Sequence, residues 1–484
     1  MYLALKNALG KSFILFRGLL NKFSGATAAY SLRRLGSYNG PIVRIRRASD
    51  ATEVNVGFNG TSSVDTTSPI TVVSGSTTAT TLGEFLTEDL VVFQPDYTTD
   101  DGIGFLSNMT SDVNQTVGGR DAAVKFSVVS TGSPAVHRGY LNLATPLAGT
   151  DGVKVTFEMY RPSGGSSQGD LGFSFEYGAS TNASVFLQNS QDNTWEDFSF
   201  FVDGREASSR LYHQLSASNG SGANGFFFTG TTGDHIFIRN LKVEQINQGA
   251  TVHTWYDQSG NANDATQSST SLQPQIATSG SLNSVNGKPS IKWDGVDDFM
   301  VASISGFQDI TNLSSFHVVT PVDAAAADTS TMTAFSFGII GSGTNRGLSL
   351  ASSTGAPGIS GETITLSHES SGATTGRLAS TSYSRAADTQ SLLSLFNLSS
   401  GTSLFAQGSS VTLNLSNQIN TSSDTSPSAV GFTSNNNVYL GGIFTTTPVA
   451  LEEESFQEII FFDANKTSDR TSIESNIDDY YDII

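Results

Sequence analysis

Short stretches in which apolar and polar residues alternate, each ended by a cluster of Gly, Ser, Asn or Asp, recur along nearly the whole chain. This pattern constrains the fold more than any other feature, because alternation puts successive side chains on opposite faces of a strand. Val252, Thr254 and Tyr256 alternate, and Asp257-Gln258-Ser259-Gly260-Asn261-Ala262-Asn263-Asp264 then breaks the strand. The same reading gives strands around Val43–Ile45, Val54–Phe58, Val124–Val129, Val153–Tyr160, Leu171–Tyr177, Trp195–Val202 and Ile236–Gln245. Further on it gives Ser315–Thr320, Thr333–Ile340, Gln390–Asn397, Asn437–Leu440 and Glu454–Phe462. The expected class is all-β, built as sandwiches, with short helices at the two ends.

A chain of 484 residues has room for two to three domains. Its 31 Phe and 13 Tyr supply enough apolar surface for real cores. There is no cysteine, which excludes disulfide scaffolds, thiolate catalysis and Cys-based zinc sites. No apolar stretch is long enough to suggest a membrane span. The net charge of −19 is uneven: nine Lys and Arg face the single acid Asp50 in the first 50 residues, a local +8 that leaves −27 for the rest. An acidic body argues against nucleic-acid binding.

Residues 1–27 read as an amphipathic helical segment, with Leu9, Phe13, Phe16 and Leu20 among its apolar positions and Lys and Arg between them. Lys6 and Lys11 precede the apolar Phe13-Ile14-Leu15-Phe16, but Arg17 interrupts it at once and no signal peptide is expected. The functional expectation is a docking element that fixes the protein to a larger assembly. Ala28–Leu35 reads as a short helix or turn. At the other end, Ile473, Ile477 and Tyr480 fall at helical spacing, with Thr467 or Ser468 as N-cap.

Two blocks are more specific than alternation. Trp255-Tyr256-Asp257-Gln258-Ser259-Gly260-Asn261 and the upstream stretch Ala28–Phe58 resemble the catalytic domain of the α-L-arabinofuranosidase B family, a concanavalin-like β-sandwich. Gln273–Ile276 and Asn286–Asp298 continue the likeness, and Thr81–Leu86 resembles the short helix that precedes the Trp255–Asn261 strand in that family. The two blocks stand far apart here, so the resemblance implies one sandwich, residues 28–94 plus 248–484, interrupted by a guest at residues 95–247. The guest resembles a jelly-roll carbohydrate-binding module at Thr194–Asp203 and Ile236–Glu244. Phage tail and virion proteins often carry relatives of the host domain. The resemblance therefore implies a virion protein, with other virion proteins bound through its N-terminus and a host-surface glycan as ligand; long exposed strands in such sandwiches favour packing between copies, so a homo-oligomer is expected, with a trimer as the candidate state.

Retaining glycosidases need two carboxylates about 5 Å apart. The family's nucleophilic Glu follows a Phe-x-Tyr-Gly pattern, and the counterpart here, Phe335-Ser336-Phe337-Gly338, leads to Gly341; no acid lies between Asp328 and Glu362. On that ground the chain is expected not to be an enzyme, with adsorption to glycans as its task and with a glycosidase or depolymerase, or a ligand-free cement protein, as alternatives. Sugar platforms need aromatic rings, and Trp195, Tyr160, Tyr177 and Tyr212 are the candidates in the guest. No cofactor is expected; Ca²⁺ is conceivable at the acidic turn of Asp294, Asp297 and Asp298.

Overall fold

The computed structural model describes residues 18–88, 249–305, 312–321, 388–398, 400–414, 436–444 and 453–484, together with the strands and adjoining turns named below for the stretches between them. The chain is almost wholly antiparallel β-structure. Strands Ala26–Ser31 (β1), Val43–Arg47 (β2), Glu53–Val56 (β3) and Ile70–Ser74 (β4) come from the first part of the chain. They do not form a sheet by themselves. β1 pairs with Glu454–Phe462, and β2 pairs with Ala250–Trp255 on one side and β3 on the other. Sequence-distant segments thus share one hydrogen-bonded network.

That network has two layers. In one, β1 lies beside Glu454–Phe462, which is followed outward by Leu313–Pro321, Ser391–Leu398 and Gly401–Ala406. In the other, β4, β3 and β2 lead to Ala250–Trp255, then to Ala265–Thr266, Met300–Ser303 and Asn437–Leu440. The core between them holds Tyr30, Leu395, Ile459 and Phe461 from the first layer and Val43, Ile45, Val252 and Trp255 from the second. Aromatic rings run through it in a row: Tyr30 to Trp255 at 5.8 Å, Trp255 to Trp293 at 6.5 Å, Trp293 to Phe456 at 4.5 Å.

Glu454–Phe462 reads Glu-Ser-Phe-Gln-Glu-Ile-Ile-Phe-Phe, and every residue of it is buried. A strand covered on both faces need not alternate, and here the polar residues are buried with partners: Glu458 pairs with Arg33, and Gln457 donates to the carbonyls of Lys288 and Pro289. Ile459 and Phe461 point into the sandwich, while Ile460 and Phe462 point the other way, onto a second core with Phe316, Phe396, Leu19, Ile473, Ile477 and Tyr481. The C-terminal helix Arg470–Tyr481 and the short helix Leu19–Lys22 cover that outer face. The helix starts with Asp469 at the N-cap position, making no side-chain cap, rather than at Thr467 or Ser468.

One sequence expectation needs correction here. Ala28–Leu35 is not a helix or turn at its start: Ala26–Ser31 is a buried strand. Its small residues, Ala26, Ala28 and Ala29, show no alternation because both faces are covered. Leu90–Phe93 pairs with His235–Ile246 and so belongs with the intervening sheets. Those sheets are two: Trp195–Val202, Gly152–Tyr160, His235–Ile246, Arg120–Val128 and Met109–Val117 in one, and Ser184–Gln188, Leu171–Tyr177, Ser208–Ala217, His137–Leu147 and Ile103–Ser107 in the other. Among the described strands, none of 90–246 pairs with the larger network.

Both ends of this intervening stretch are tied to adjacent residues. The helix Leu82–Thr87 opens with a capping box between Thr81 and Glu84 and ends at Glu88, whose carboxylate takes the Arg47 Nη1 at 2.7 Å. At the return, the Ala48 N–H donates to the Gly249 carbonyl at 2.9 Å. Burial alone would raise the Glu88 carboxyl, but hydrogen bonds from Thr77, Arg47 and Thr78 outweigh it and lower it to about 2. A depressed carboxylate stabilises the fold above its ordinary value of 4.5 and loses that contribution as pH falls toward 2. We expect wild-type stability to drop by on the order of 2 kcal/mol across that window through this group. Glu88→Gln should flatten that part of a urea-denaturation profile against pH; an unchanged slope would contradict the assignment.

Candidate functional site

The signature stretch is a clasp. Asp257, almost fully buried, accepts hydrogen bonds from the Ala29 N–H at 2.8 Å, the Ser259 N–H at 2.8 Å, the Ser259 hydroxyl at 2.6 Å and the Asn263 N–H at 3.1 Å. Gln258 accepts from the Leu35 N–H and donates to the carbonyls of Ser31 and Arg33. Asn261 and Asn263 donate to the carbonyls of Ala26 and Thr27. These side chains satisfy the free edge of β1, which pairs with Glu454–Phe462 on its other side. A buried edge needs such partners, because an orphaned backbone group costs more than a made hydrogen bond returns.

Tyr256 and the turn after β1 lead to a surface groove. An open cavity of about 400 Å³ is lined by Arg34, Asn39, Pro41, Asn55, Phe58 and Thr71, with the backbone of Gly40 and Gly57 between them. Among the described residues, no acid lines it. The Arg34 guanidinium lies 4.3 Å from the Phe58 ring centroid and donates through Nη1 to the Asn39 side chain. Its Nε–H is buried with no partner. Phe58 is anchored against the main core. The Asn55 Oδ1 accepts from the Tyr256 hydroxyl at 2.8 Å and from Arg44 Nε at 3.4 Å, which fixes the amide so that its NH₂ is left to donate.

Behind this wall, the Tyr38 hydroxyl donates to the Pro41 carbonyl at 2.8 Å. Burial, with Asp264, Tyr256 and Asp257 nearby, pushes its phenol up to about 12. Asp264 is half-buried and accepts from the Asp257 N–H at 2.9 Å. Burial, then the neighbouring Asp257 charge, raises its carboxyl above the usual range. An aromatic face, a guanidinium and two amides around a cavity of this size are what a sugar ring needs: an apolar face to stack on and directional partners for its hydroxyls.

Sequence reasoning missed these groove residues. The available signal was local: Arg34, Asn39, Asn55 and Phe58 all fall in the first block that resembles the family, around the turn Tyr38-Asn39-Gly40-Pro41.

The structure treats the residues singled out from sequence differently. Trp195 and Tyr160 do come together, with centroids 5.4 Å apart, but as a packed pair. The Trp195 indole donates to the Val117 carbonyl at 3.1 Å and is flanked by Arg120 and Arg239, while Tyr160 is buried beside Phe237 and Ala123. The side chains of Tyr177 and Tyr212 lie outside the described residues, as do Leu9, Phe13, Phe16 and Gly341. Leu20 is described, and it packs against the chain's own outer core.

Asp294, Asp297 and Asp298 converge, with one carboxylate oxygen of each within 4.8 Å of the others. They also shape their own turn: Asp294 Oδ1 accepts from the N–H groups of Val296 and Asp297, and Asp298 Oδ2 accepts from the Asp294 N–H. Burial, then the charges of Asp294 and Asp297, raises Asp298 to about 7. A raised acid stabilises the fold below its ordinary value of 3.8, and that contribution is lost as pH climbs to about 7. The turn is open to water on the side of Asp294 and Asp297, so the expected loss is about 1–2 kcal/mol, well short of a full conversion of the shift. Asp298→Asn should therefore raise the melting temperature at pH 8 but not at pH 4; equal effects at both would refute it.

Comparison with known proteins gives little beyond this geometry. No protein-family model and no curated protein matches the chain. Among solved structures, a Trypanosoma rangeli sialidase in complex with a difluorinated sugar acid matches at 11% identity and TM-score 0.29, covering 88% of this chain and 61% of that one. A further structure of that sialidase matches at 11% identity and TM-score 0.28, covering 94% and 97%. A GH54 α-L-arabinofuranosidase mutant soaked with 4-nitrophenyl α-L-arabinofuranoside matches at 12% identity and TM-score 0.33, covering 69% and 62%. The chain thus spans about three fifths of the first solved chain it matches. At this identity and TM-score they assign it no family, substrate or residue role. They are nonetheless all glycosidases, and the expectation that the chain is not an enzyme is corrected accordingly.

Proposed function

We propose that this is a carbohydrate-active β-sandwich protein that holds a polysaccharide in the groove of Arg34, Asn39, Asn55 and Phe58. The observation that carries this reading is the Arg34–Phe58 stack beside two oriented amides at an open cavity. In the finer form of the proposal, the polymer is a host-surface glycan and the protein belongs to a virion, attached through residues 1–27 as a homo-oligomer. That form rests on the resemblance of Ala28–Phe58 and Trp255–Asn261 to domains carried by virion proteins, with avidity arising from repeated weak sites.

A specific observation favours cleavage of the same polymer. Asp264 is a half-buried acid whose carboxyl is raised above the usual range by burial and by the neighbouring Asp257 charge, and it lies near Tyr38 rather than among the residues that line the groove. Glycoside cleavage needs a general acid of raised pKa at the sugar, so this reading requires the polymer to reach past the lining residues to Asp264. A glycan array on the purified protein, followed by reducing-end release from each retained polymer, tests both steps. Retention that is lost in Phe58→Ala supports the groove. No retention of any polymer at high density would overturn it. New reducing ends that vanish in Asp264→Asn would support cleavage, and intact polymer after prolonged incubation would sink it.

A further inference from the structure

The groove carries a charge asymmetry that neutral-sugar binding leaves unused. The chain has a net charge of −19, and most of its described arginines are neutralised: Arg33 by Glu458, Arg47 by Asp50 and Glu88, Arg120 and Arg239 by Glu158, Arg161 by Asp192, Arg470 by Glu474. Arg34 is different. Its guanidinium meets an amide and an aromatic ring but no carboxylate, and it does so at the wall of a cavity without a lining acid. Arg44 adds a second cation behind Asn55.

A cation held in place with hydrogen-bonding capacity to spare is a site for an anion. Guanidinium is planar and always charged, and it favours carboxylate, which it can meet through two parallel N–H groups. Stacking on Phe58 fixes the plane of the group and reduces the entropy lost on binding. The acidic body does not cancel this attraction, because exposed charges beyond about 8 Å are screened at physiological salt. Asp65 and Asp264 are each engaged by other donors. Asp65 accepts from Asn59 and Thr67, and Asp264 accepts from the Asp257 N–H.

We propose that the groove selects an anionic sugar, a hexuronic acid within a polysaccharide, with its carboxylate on Arg34, its ring against Phe58 and its hydroxyls on the amides of Asn39 and Asn55. This rests on the reading of the groove as a polysaccharide site and adds the class of sugar. No covalent step is involved.

The test uses the full chain and four uronate polymers: alginate, polygalacturonate, hyaluronan and heparosan. Each is paired with its carboxyl-reduced form, which keeps the sugar ring and removes the charge. At least one acidic polymer is expected to bind roughly tenfold or more tightly than its reduced partner, about the value of one charge-assisted hydrogen-bond pair. The preference should shrink as salt rises. Arg34→Gln should abolish the preference while leaving the melting temperature unchanged, and Arg34→Lys should keep part of it.

Equal binding of acidic and reduced forms would overturn the anionic selection and leave the polysaccharide site standing. A preference that survives Arg34→Gln would place the anion elsewhere and overturn the proposal. No binding of any polymer here, together with an empty glycan array, would overturn both readings.

Discussion

Replacing Asp257 by alanine is expected to cost about 3–5 kcal/mol of stability, among the largest effects of any single surface-loop substitution in this chain. The carboxylate accepts three backbone N–H groups, from Ala29, Ser259 and Asn263, and the Ser259 hydroxyl. Ala29 is fully buried, so its donor would be left with no water to replace the lost acceptor. Ser259 and Asn263 are half-buried and can be partly rescued by solvent, which holds the total near the lower end of the sum. In urea the midpoint should fall at nearly constant slope, since the surface exposed on unfolding is unchanged. Ser259→Ala, which removes one hydroxyl and leaves the carboxylate in place, should cost less than about 1 kcal/mol. Similar costs for the two variants would mean that Asp257 is not the hub of the turn.

The second large effect concerns the pair that pins the C-terminal helix to the first layer. Arg33 and Glu458 form a bidentate pair, Nε to Oε2 at 2.7 Å and Nη2 to Oε1 at 2.9 Å, with both side chains almost fully buried. Glu458 also accepts from Ser31 and from the Tyr481 hydroxyl, and the guanidinium sits beside the rings of Tyr480 and Tyr481. Burial would lower the Arg33 pKa, but the Glu458 charge and hydrogen bond prevail and hold it above its ordinary value. Removing one member strands the other charge, so Arg33→Met should cost about 3–5 kcal/mol. Removing both, as Arg33→Met with Glu458→Leu, should cost clearly less, because no uncompensated charge remains. A double-mutant cycle on urea midpoints reads the coupling directly. Additive losses would show that the two groups do not depend on each other.

What the sequence disclosed, and what it hid, follows from packing. Glu454–Phe462 was legible because its second half, Ile459-Ile460-Phe461-Phe462, is a continuous apolar run of the kind a strand buried on both faces carries. The helix Leu82–Thr87 was expected only from the family resemblance of Thr81–Leu86; the capping box of Thr81 and Glu84 is its physical cause. Ala26–Ser31 was not: its residues are small and its period is erased by covers on both sides, one of which is the C-terminal helix hundreds of residues away. The clasp could be spotted as a motif but not understood, since the partners of Asp257, Gln258 and Asn261 lie on β1. The groove is a similar case. Arg34, Asn55 and Phe58 look like ordinary strand and turn residues until Tyr256 and Arg44 fix Asn55 and the core fixes Phe58. Trp195, conspicuous in sequence, is held by Val117 and two arginines.

The clasp, and the Tyr256 hydrogen bond that orients Asn55 in the groove, require that residues before and after the long intervening stretch lie side by side, and the absence of native cysteine allows a direct check. Arg46 and Thr251 are cross-strand partners between β2 and Ala250–Trp255, and both side chains are half-buried. In Arg46→Cys with Thr251→Cys, mild oxidation should close one intramolecular disulfide, seen as a loss of two mass units, a faster non-reducing gel band and no free thiol. Persistent free thiols, or bridges formed only between molecules, would mean that the two parts of the chain do not share a sheet.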